Sequence, residues 1–216
     1  MAVICYLRGT HIRTPEGERR IEELKIGDPV VTLSGESKPI KWIGRRRFKK
    51  SSERWVKDFE PIRISRFALD ERTPHGNLYL SPNHRIYIDG VLIPAKYLVN
   101  GLNITQCAPE GADIIEYLHV ELFAHDVIYA EGATAETMSS WRESRDHFDN
   151  FAEYYRLYPN EDETADPPPA PIFWGHSRFE RALQPLRSVL APWIDTRATV
   201  DKVRERLAAR ARDLVD

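Results

Sequence analysis

The chain has 216 residues, of which 42% are hydrophobic and 30% are charged, and its net charge is −2. This composition is ordinary for a soluble globular protein, and so small a net charge gives no general attraction to nucleic acid or anionic membrane. No apolar run approaches the roughly 20 residues of a membrane span, and the stretch before Arg8 is too short for a signal peptide. We therefore expect the chain as given to be cytoplasmic, with secretion possible for a longer precursor.

The two cysteines, Cys5 and Cys107, are too few for a disulfide framework. Cys107 has no histidine near it in sequence and is most simply a structural thiol. Cys5 stands at the start of a β-rich stretch. It is either a buried thiol at the beginning of a strand or a nucleophile.

Short strands separated by turns are predicted from Cys5 to about Ser140. Asp89-Gly90 is a strong hairpin signal, and a single helical turn is expected at Arg20–Leu24. Regularly spaced strands with few helical patterns between them favour an all-β domain. The clearest predicted strands are Thr10–Thr14, Pro29–Leu33, Lys38–Ile43, Pro61–Ile64, Leu78–Leu80, Arg85–Ile88, Val91–Pro94, Glu116–Phe123 and Asp126–Ala130.

A basic cluster at Arg45–Lys50 interrupts this pattern. We interpret it as a solvated loop or an edge strand, because charged side chains at a sheet edge discourage unwanted pairing. No nucleic-acid recognition motif accompanies it, so a nucleic-acid partner is not favoured.

The character of the sequence changes after Ser140. Helical spacing is seen over Trp141–Tyr158, and an acidic, proline-rich stretch near 160–171 predicts an exposed linker. Thr199 is a candidate cap for a final helix, with partner binding as the alternative to packing on the β domain. We expect a β domain over 1–140 and a mainly helical extension over 141–216. The apolar stripe of the final helix is Val200, Val203, Leu207, Ala211 and Leu214.

Two stretches contain residues suited to acyl chemistry, the one around Cys5 and Ser81–His84. A cysteine attacks carbonyl groups well when a base activates its thiol, and a histidine can supply that base or protonate a departing amine. A hydroxyl such as that of Ser81 can hydrogen-bond the reacting peptide. Spacing alone is weak evidence, because seven histidines offer such pairs by chance.

Three blocks in the right order make a more specific pattern. The first joins Cys5–Thr10 to Ile21–Asp28, the second is Ser81–His84, and the third runs from His119 to His125 and on to Gly132. Together they resemble the Hint superfamily, the self-processing domain shared by hedgehog proteins and inteins. The chain is most similar to bacterial Hint domains that do not lie inside a splicing host. In the second block, serine replaces the family's threonine.

The resemblance implies a horseshoe-shaped all-β fold with a pseudo-two-fold axis. It also implies that the Cys5 thiol attacks the Ile4 carbonyl in an N–S acyl shift, so that the substrate is the chain's own upstream polypeptide. His84 would act as acid and base, Ser81 would assist it, and His125 is a second-line candidate. Water or an external nucleophile would then resolve the thioester.

Full splicing is not expected, because no terminal His-Asn pair follows Gly132. The hedgehog branch uses an aspartate to activate an acceptor alcohol, but we do not assign that role to Asp58. His119 and His125 lack further ligands at metal spacing, so neither a metal nor a cofactor is predicted.

Only Met1–Ile4 precede Cys5, which leaves two alternatives: a piece of a longer precursor, or a domain that retains the fold with a vestigial reaction. A second function is therefore a catalytically silent Hint-like module that binds a partner. A third, a Cys-His hydrolase acting on other molecules, has no substrate-binding signature in its favour.

Overall fold

The protein is an antiparallel β structure with few helices, which confirms the all-β prediction. The computed structural model describes residues 4–51, 53–138, 145–160, 167–173, 175 and 196–214. Its strands are β1 (Tyr6–Leu7), β2 (His11–Thr14), β3 (Gly17–Arg20), β4 (Pro29–Val31), β5 (Ser37–Pro39), β6 (Trp42–Lys49), β7 (Ile62–Ile64), β8 (Leu78–Leu80), β9 (Arg85–Ile88), β10 (Val91–Pro94), β11 (Ile104–Gln106), β12 (Ile114–Glu121), β13 (Val127–Ala130) and β14 (Ala133–Glu136). The helices are α1 (Phe151–Leu157) and α2 (Thr196–Asp213), with 3-10 turns at Ile21–Glu23 and Ala95–Tyr97.

Sheet A has the strand order β11-β7-β8-β1-β12-β6. The short strand β1 lies in its interior, where Tyr6 pairs with Leu80 of β8 on one side and with Leu118 of β12 on the other. Cys5 immediately precedes β1, and Ser81 immediately follows β8. Antiparallel pairing of β1 with β8 therefore brings these two residues together although 76 positions separate them.

Sheet B has the order β10-β9-β14-β13-β2-β3, and β4 and β5 form a small separate sheet. Three links pass from sheet A to sheet B: β1 to β2, β8 to β9, and β12 to β13. Ser81–His84 form the second of these links, and His125 lies in the third. His84 and His125 therefore lie where the chain crosses between the sheets.

Two hydrophobic clusters fill the domain. Tyr6 belongs to the main core, whereas Leu7 belongs to a second cluster, because successive residues of a strand point to opposite faces. The second cluster contains the nucleophile candidate. Its buried members are Cys5, Leu7, Trp42, Ile115, Tyr117, Met138, Phe148 and Tyr154.

The segment 145–158 packs against the edge strand β6. Asp149 N–H donates to the Arg45 carbonyl (2.8 Å), and the Asn150 side-chain amide accepts from Arg45 N–H (2.8 Å) and donates to the Ile43 carbonyl (2.9 Å). These bonds cover part of an edge that would otherwise be open to pairing with another chain. The basic cluster lies in β6 and its neighbouring residue, in agreement with the edge-strand interpretation.

The predicted helix over Trp141–Tyr158 lies partly outside the described residues. In its described part Arg145 is helical, turns and a bend follow over 146–150, and α1 begins at Phe151. Asp149 and Asn150 bond to the β6 backbone at this interruption. A buried ion cluster also holds this segment. Glu121 lies 3.0 Å from Lys41 and 2.6 Å from Arg145, and all three side chains are almost inaccessible to solvent.

Helix α2 packs on the β domain, as predicted. Arg206 pairs with Asp89 at 2.8 Å, and the Arg210 guanidinium donates to the carbonyls of Phe67 and Asp70, each at 2.6 Å. Two details were predicted wrongly. Thr199 lies inside the helix rather than capping it, because the helix already includes Thr196. Leu214 is 49% exposed, because it lies just beyond the end of α2, whereas the other four stripe residues are buried.

The predicted linker near 160–171 lies partly outside the described residues. Its described part is exposed at Pro167–Pro169, but the backbone then pairs with β10: Leu92 N–H donates to the Pro171 carbonyl (2.9 Å) and Phe173 N–H donates to the Leu92 carbonyl (3.0 Å). This end of the stretch therefore packs on the edge of sheet B. Neither described helix has the length and apolar character needed to cross a bilayer.

Gly44 permits the docking of segment 145–158, because a Cβ at that position would lie 2.6 Å from Cδ1 of Phe148. We expect Gly44→Ala to lower the free energy of unfolding by about 1–3 kcal/mol through overpacking. Urea denaturation measures this. In a Phe148→Ala background the same change should cost much less, and an equal cost in both backgrounds would contradict the contact.

Candidate active site

Cys5 is completely buried and is held through its backbone. Its N–H donates to the Ser81 hydroxyl (2.8 Å), and its carbonyl accepts from the Ser81 N–H (2.9 Å). Burial raises the pKa of the Cys5 thiol well above its usual value, and the nearby Arg46 charge acts in the opposite direction. The thiol is therefore protonated at neutral pH, so nucleophilic attack by Cys5 needs a neighbouring base.

His84 ends the turn that begins with Ser81. Its N–H donates to the Ser81 carbonyl (3.0 Å), and its own carbonyl accepts from Ala95 N–H (2.9 Å). The imidazole packs against the Tyr6 ring with a centroid distance of 4.2 Å. In the part of the chain that the structure describes, neither buried ring nitrogen has a hydrogen-bond partner.

The pKa of His84 lies well below its usual value. Burial is the largest cause, followed by the charges of His119 and Arg85, while the backbones of Glu136 and Cys5 act in the opposite direction. A protonated imidazole loses hydration when it is buried, and like charges beside it disfavour the proton further. His84 is therefore neutral at pH 7, the form that can accept a proton.

His119 is a second buried histidine beside the first. Its ring meets that of His84 edge to face, with centroids 5.1 Å apart, and lies 5.9 Å from the ring of Tyr6. Burial, followed by the His125 charge, lowers the pKa of His119 to about 3. His119 begins the third sequence block but was not predicted to be a site residue.

His125 faces Glu136. Its Nε2 is 3.2 Å from Glu136 Oε2 but makes no hydrogen bond among the described residues. The Glu136 carboxylate also accepts from the Arg85 guanidinium (2.7 Å) and from the Arg85 N–H (3.0 Å), and the Glu136 backbone carbonyl accepts from the Tyr6 hydroxyl (2.8 Å). Glu136 therefore ties β14 to β9 through its carboxylate and to β1 through its carbonyl.

Residues 4–141 match the profile of the Hint domain family. The chain belongs to the Hint domain family. This match confirms the superfamily predicted from the three sequence blocks, and it covers the region that contains Cys5, Ser81, His84 and His125. A search of curated proteins found no match.

Several solved structures have a similar fold at low identity. The bacterial intein-like domain from Clostridium thermocellum is 14% identical, with 63% of this chain and 100% of that chain covered and a TM-score of 0.45. The gp41-1 intein is 15% identical, with coverages of 62% and 98% and a TM-score of 0.42. The MchDnaB-1 intein is 10% identical, with coverages of 60% and 98% and a TM-score of 0.42.

In this Hint domain, three of the four predicted site residues, Cys5, Ser81 and His84, lie together. His125 faces Glu136, whose carboxylate binds Arg85, the residue after His84. Four residues near these were not predicted as site residues: His119, Arg46, Arg85 and Glu136. Side-chain alternation along β12 puts Tyr117, His119 and Glu121 on one face of the strand, and this pattern was a sequence signal for His119. No sequence signal pointed to the other three.

No group of three or more histidine, cysteine, aspartate or glutamate side chains is arranged to hold a metal ion in the described ranges. The polar interior of the site instead consists of unpaired imidazole nitrogens and one carboxylate that binds an arginine.

The two buried histidines predict loss of stability in acid. In the unfolded chain each takes up a proton below its ordinary pKa of 6.5, whereas in the folded domain His119 resists until about 3. Below pH 6.5 we expect the free energy of unfolding to fall by about 1.4 kcal/mol per pH unit for each histidine. Urea titrations at pH 7, 6 and 5 measure this.

His119→Phe should remove about half of this acid-dependent loss. His147→Gln, a change in the downstream segment, is the control and should leave the slope unchanged. An unchanged slope in His119→Phe would contradict the assignment.

Proposed function

We propose that this Hint domain processes its own chain by an N–S acyl shift at Ile4–Cys5, followed by thioester-mediated release of the upstream segment without splicing. The observation that most directly supports the proposal is the 2.8 Å hydrogen bond from Cys5 N–H to the Ser81 hydroxyl. That nitrogen is the leaving group of the reaction, and His84 follows three residues later in the same turn.

The acyl shift exchanges one bond for another. The Cys5 Sγ–H proton passes to neutral His84 while sulfur bonds to the Ile4 carbonyl carbon. The tetrahedral intermediate collapses as the Ile4–Cys5 C–N bond breaks, and His84 returns the proton to the departing nitrogen. An amide and a thiol thus become a thioester and an amine. Attack on the adjacent carbonyl is intramolecular, which removes most of its entropic cost.

Ser81 and Arg46 have supporting roles in this mechanism. Ser81 fixes the amide nitrogen with its hydroxyl and the Cys5 carbonyl with its backbone N–H, so the peptide to be cleaved cannot rotate away. Arg46 is the charge that favours the thiolate, and its buried Nη1 has no hydrogen-bond partner among the described residues. A cation near developing negative charge lowers the barrier more in a dry site than in water.

The later step needs a nucleophile from outside the site. Water or an external thiol or amine would attack the thioester. Splicing is not expected, because no His-Asn pair follows Gly132. We assign His125 a second-line role through Glu136 rather than contact with the peptide bond. Residues 1–140 would be the processing domain and 141–216 its extension, with segment 145–158 covering the Cys5 side of sheet A.

The alternative is a Hint domain without catalytic activity that binds a partner. It is favoured by the burial of Cys5, which limits access for an outside nucleophile. One experiment separates the two functions.

A reporter protein fused ahead of Met1 provides this test. Hydroxylamine should release the reporter as a hydroxamate ending at Ile4, detected by mass spectrometry. Cys5→Ala should abolish release, because the attacking sulfur is lost, and His84→Ala should slow it by about 100-fold or more. Cys107→Ala is the matched control and should cleave normally. A fusion that stays whole under these conditions would contradict processing and favour the binding module.

A further inference from the structure

His119 is buried in a way that packing alone does not explain. It is 1% exposed, and neither ring nitrogen has a hydrogen-bond partner among the residues that the structure describes. Burying an unpaired polar group is unfavourable, so an apolar residue would serve a purely structural role better. The ring instead meets His84, the proposed acid and base, edge to face at 5.1 Å and 83°.

The groups around the two rings limit what the pair can do. Tyr6 packs against both rings, the His125 charge acts on His119, and the Arg85 charge acts on both histidines. The backbones of Cys5 and Glu136 interact with His84, and that of Thr137 interacts with His119. The Glu136 carboxylate, which faces His125, is bound by Arg85. Each of the two imidazoles therefore has the other as a contacting histidine.

We propose that His119 is a positioning residue of the acyl shift, forming with His84 a pair that carries at most one positive charge. This inference rests on the proposed function. The His119 ring fixes the orientation of His84 through their edge-to-face contact. In acid, a proton on either ring opposes a proton on the other, because the two rings are in contact.

The proton balance follows from the same geometry. In the resting state both imidazoles are neutral and Cys5 is protonated. When sulfur attacks the Ile4 carbonyl, the proton moves to His84, and the pair carries a single positive charge. A second proton is excluded by repulsion between two cations about 5 Å apart in a dry interior. The charge is lost again when His84 gives its proton to the Cys5 nitrogen.

This arrangement predicts the pH profile of the acyl shift. The reactive state, a neutral thiol with a neutral imidazole, prevails between the lowered pKa of His84 and the raised pKa of Cys5. The rate at saturating hydroxylamine should therefore be nearly flat between pH 6 and 8. It should fall only in acid, where His84 becomes protonated.

Two substitutions separate the two contributions of His119. His119→Phe keeps a ring against His84 but removes the titratable neighbour. It should move the acid limb of the profile upward by about one pH unit and leave the rate at pH 7 nearly unchanged. His119→Ala removes the ring as well and should slow the reaction at every pH by about 10- to 100-fold. His147→Gln is the matched control, since it also replaces a histidine but lies in the downstream segment, outside the proposed site.

An NMR titration of the histidine-labelled full chain tests the pair without relying on cleavage. The His84 resonance should take up its proton at higher pH in His119→Phe than in wild type, and should not move in His147→Gln. A wild-type fusion that fails to cleave while His84 shifts as expected would overturn the function and support the pair. An unmoved His84 titration would overturn the pair, as would a uniform loss of rate in His119→Phe, which indicates a merely structural role.

Discussion

The reciprocal hydrogen bonds between Cys5 and Ser81 are the interaction on which the site depends. They join the start of β1 to the end of β8, two short strands that pair in sheet A. Because the Ser81 turn leads directly to His84, the same contact places the imidazole against Tyr6. Loss of this register would separate the thiol from its base, whatever the stability of the remaining sheets.

Burial sets the chemistry of this site. A dry environment raises the pKa of Cys5 and lowers those of His84 and His119, so thiol and imidazole are both neutral near pH 7. In the proposed reaction, proton transfer between them would then occur only in concert with attack. This same burial limits access by solvent, and segment 145–158 contributes to it through Phe148 and Tyr154.

Much of the fold was predictable from the sequence because strand alternation and turn residues are local signals. The Asp89-Gly90 hairpin and the stripe of α2 are examples. The three family blocks also indicated Cys5, Ser81 and His84. What the sequence could not provide was proximity across sheets: the contact of His119 with His84 depends on β12 lying beside β1, and that of Glu136 with Arg85 on β14 lying beside β9. The interruption of the predicted helix just before Phe151 was not predictable either, because it depends on hydrogen bonds from Asn150 to the distant strand β6.

In the proposed reaction, the Ile4–Cys5 bond exchanges between an amide and a thioester. Carbon-13 NMR of a fusion labelled at the Ile4 carbonyl, recorded without added nucleophile, tests this exchange most directly. We expect a minor resonance with the chemical shift of a thioester carbonyl, present in the wild-type fusion and absent from Cys5→Ala. A single amide resonance in both proteins, in samples whose folding is verified, would contradict it.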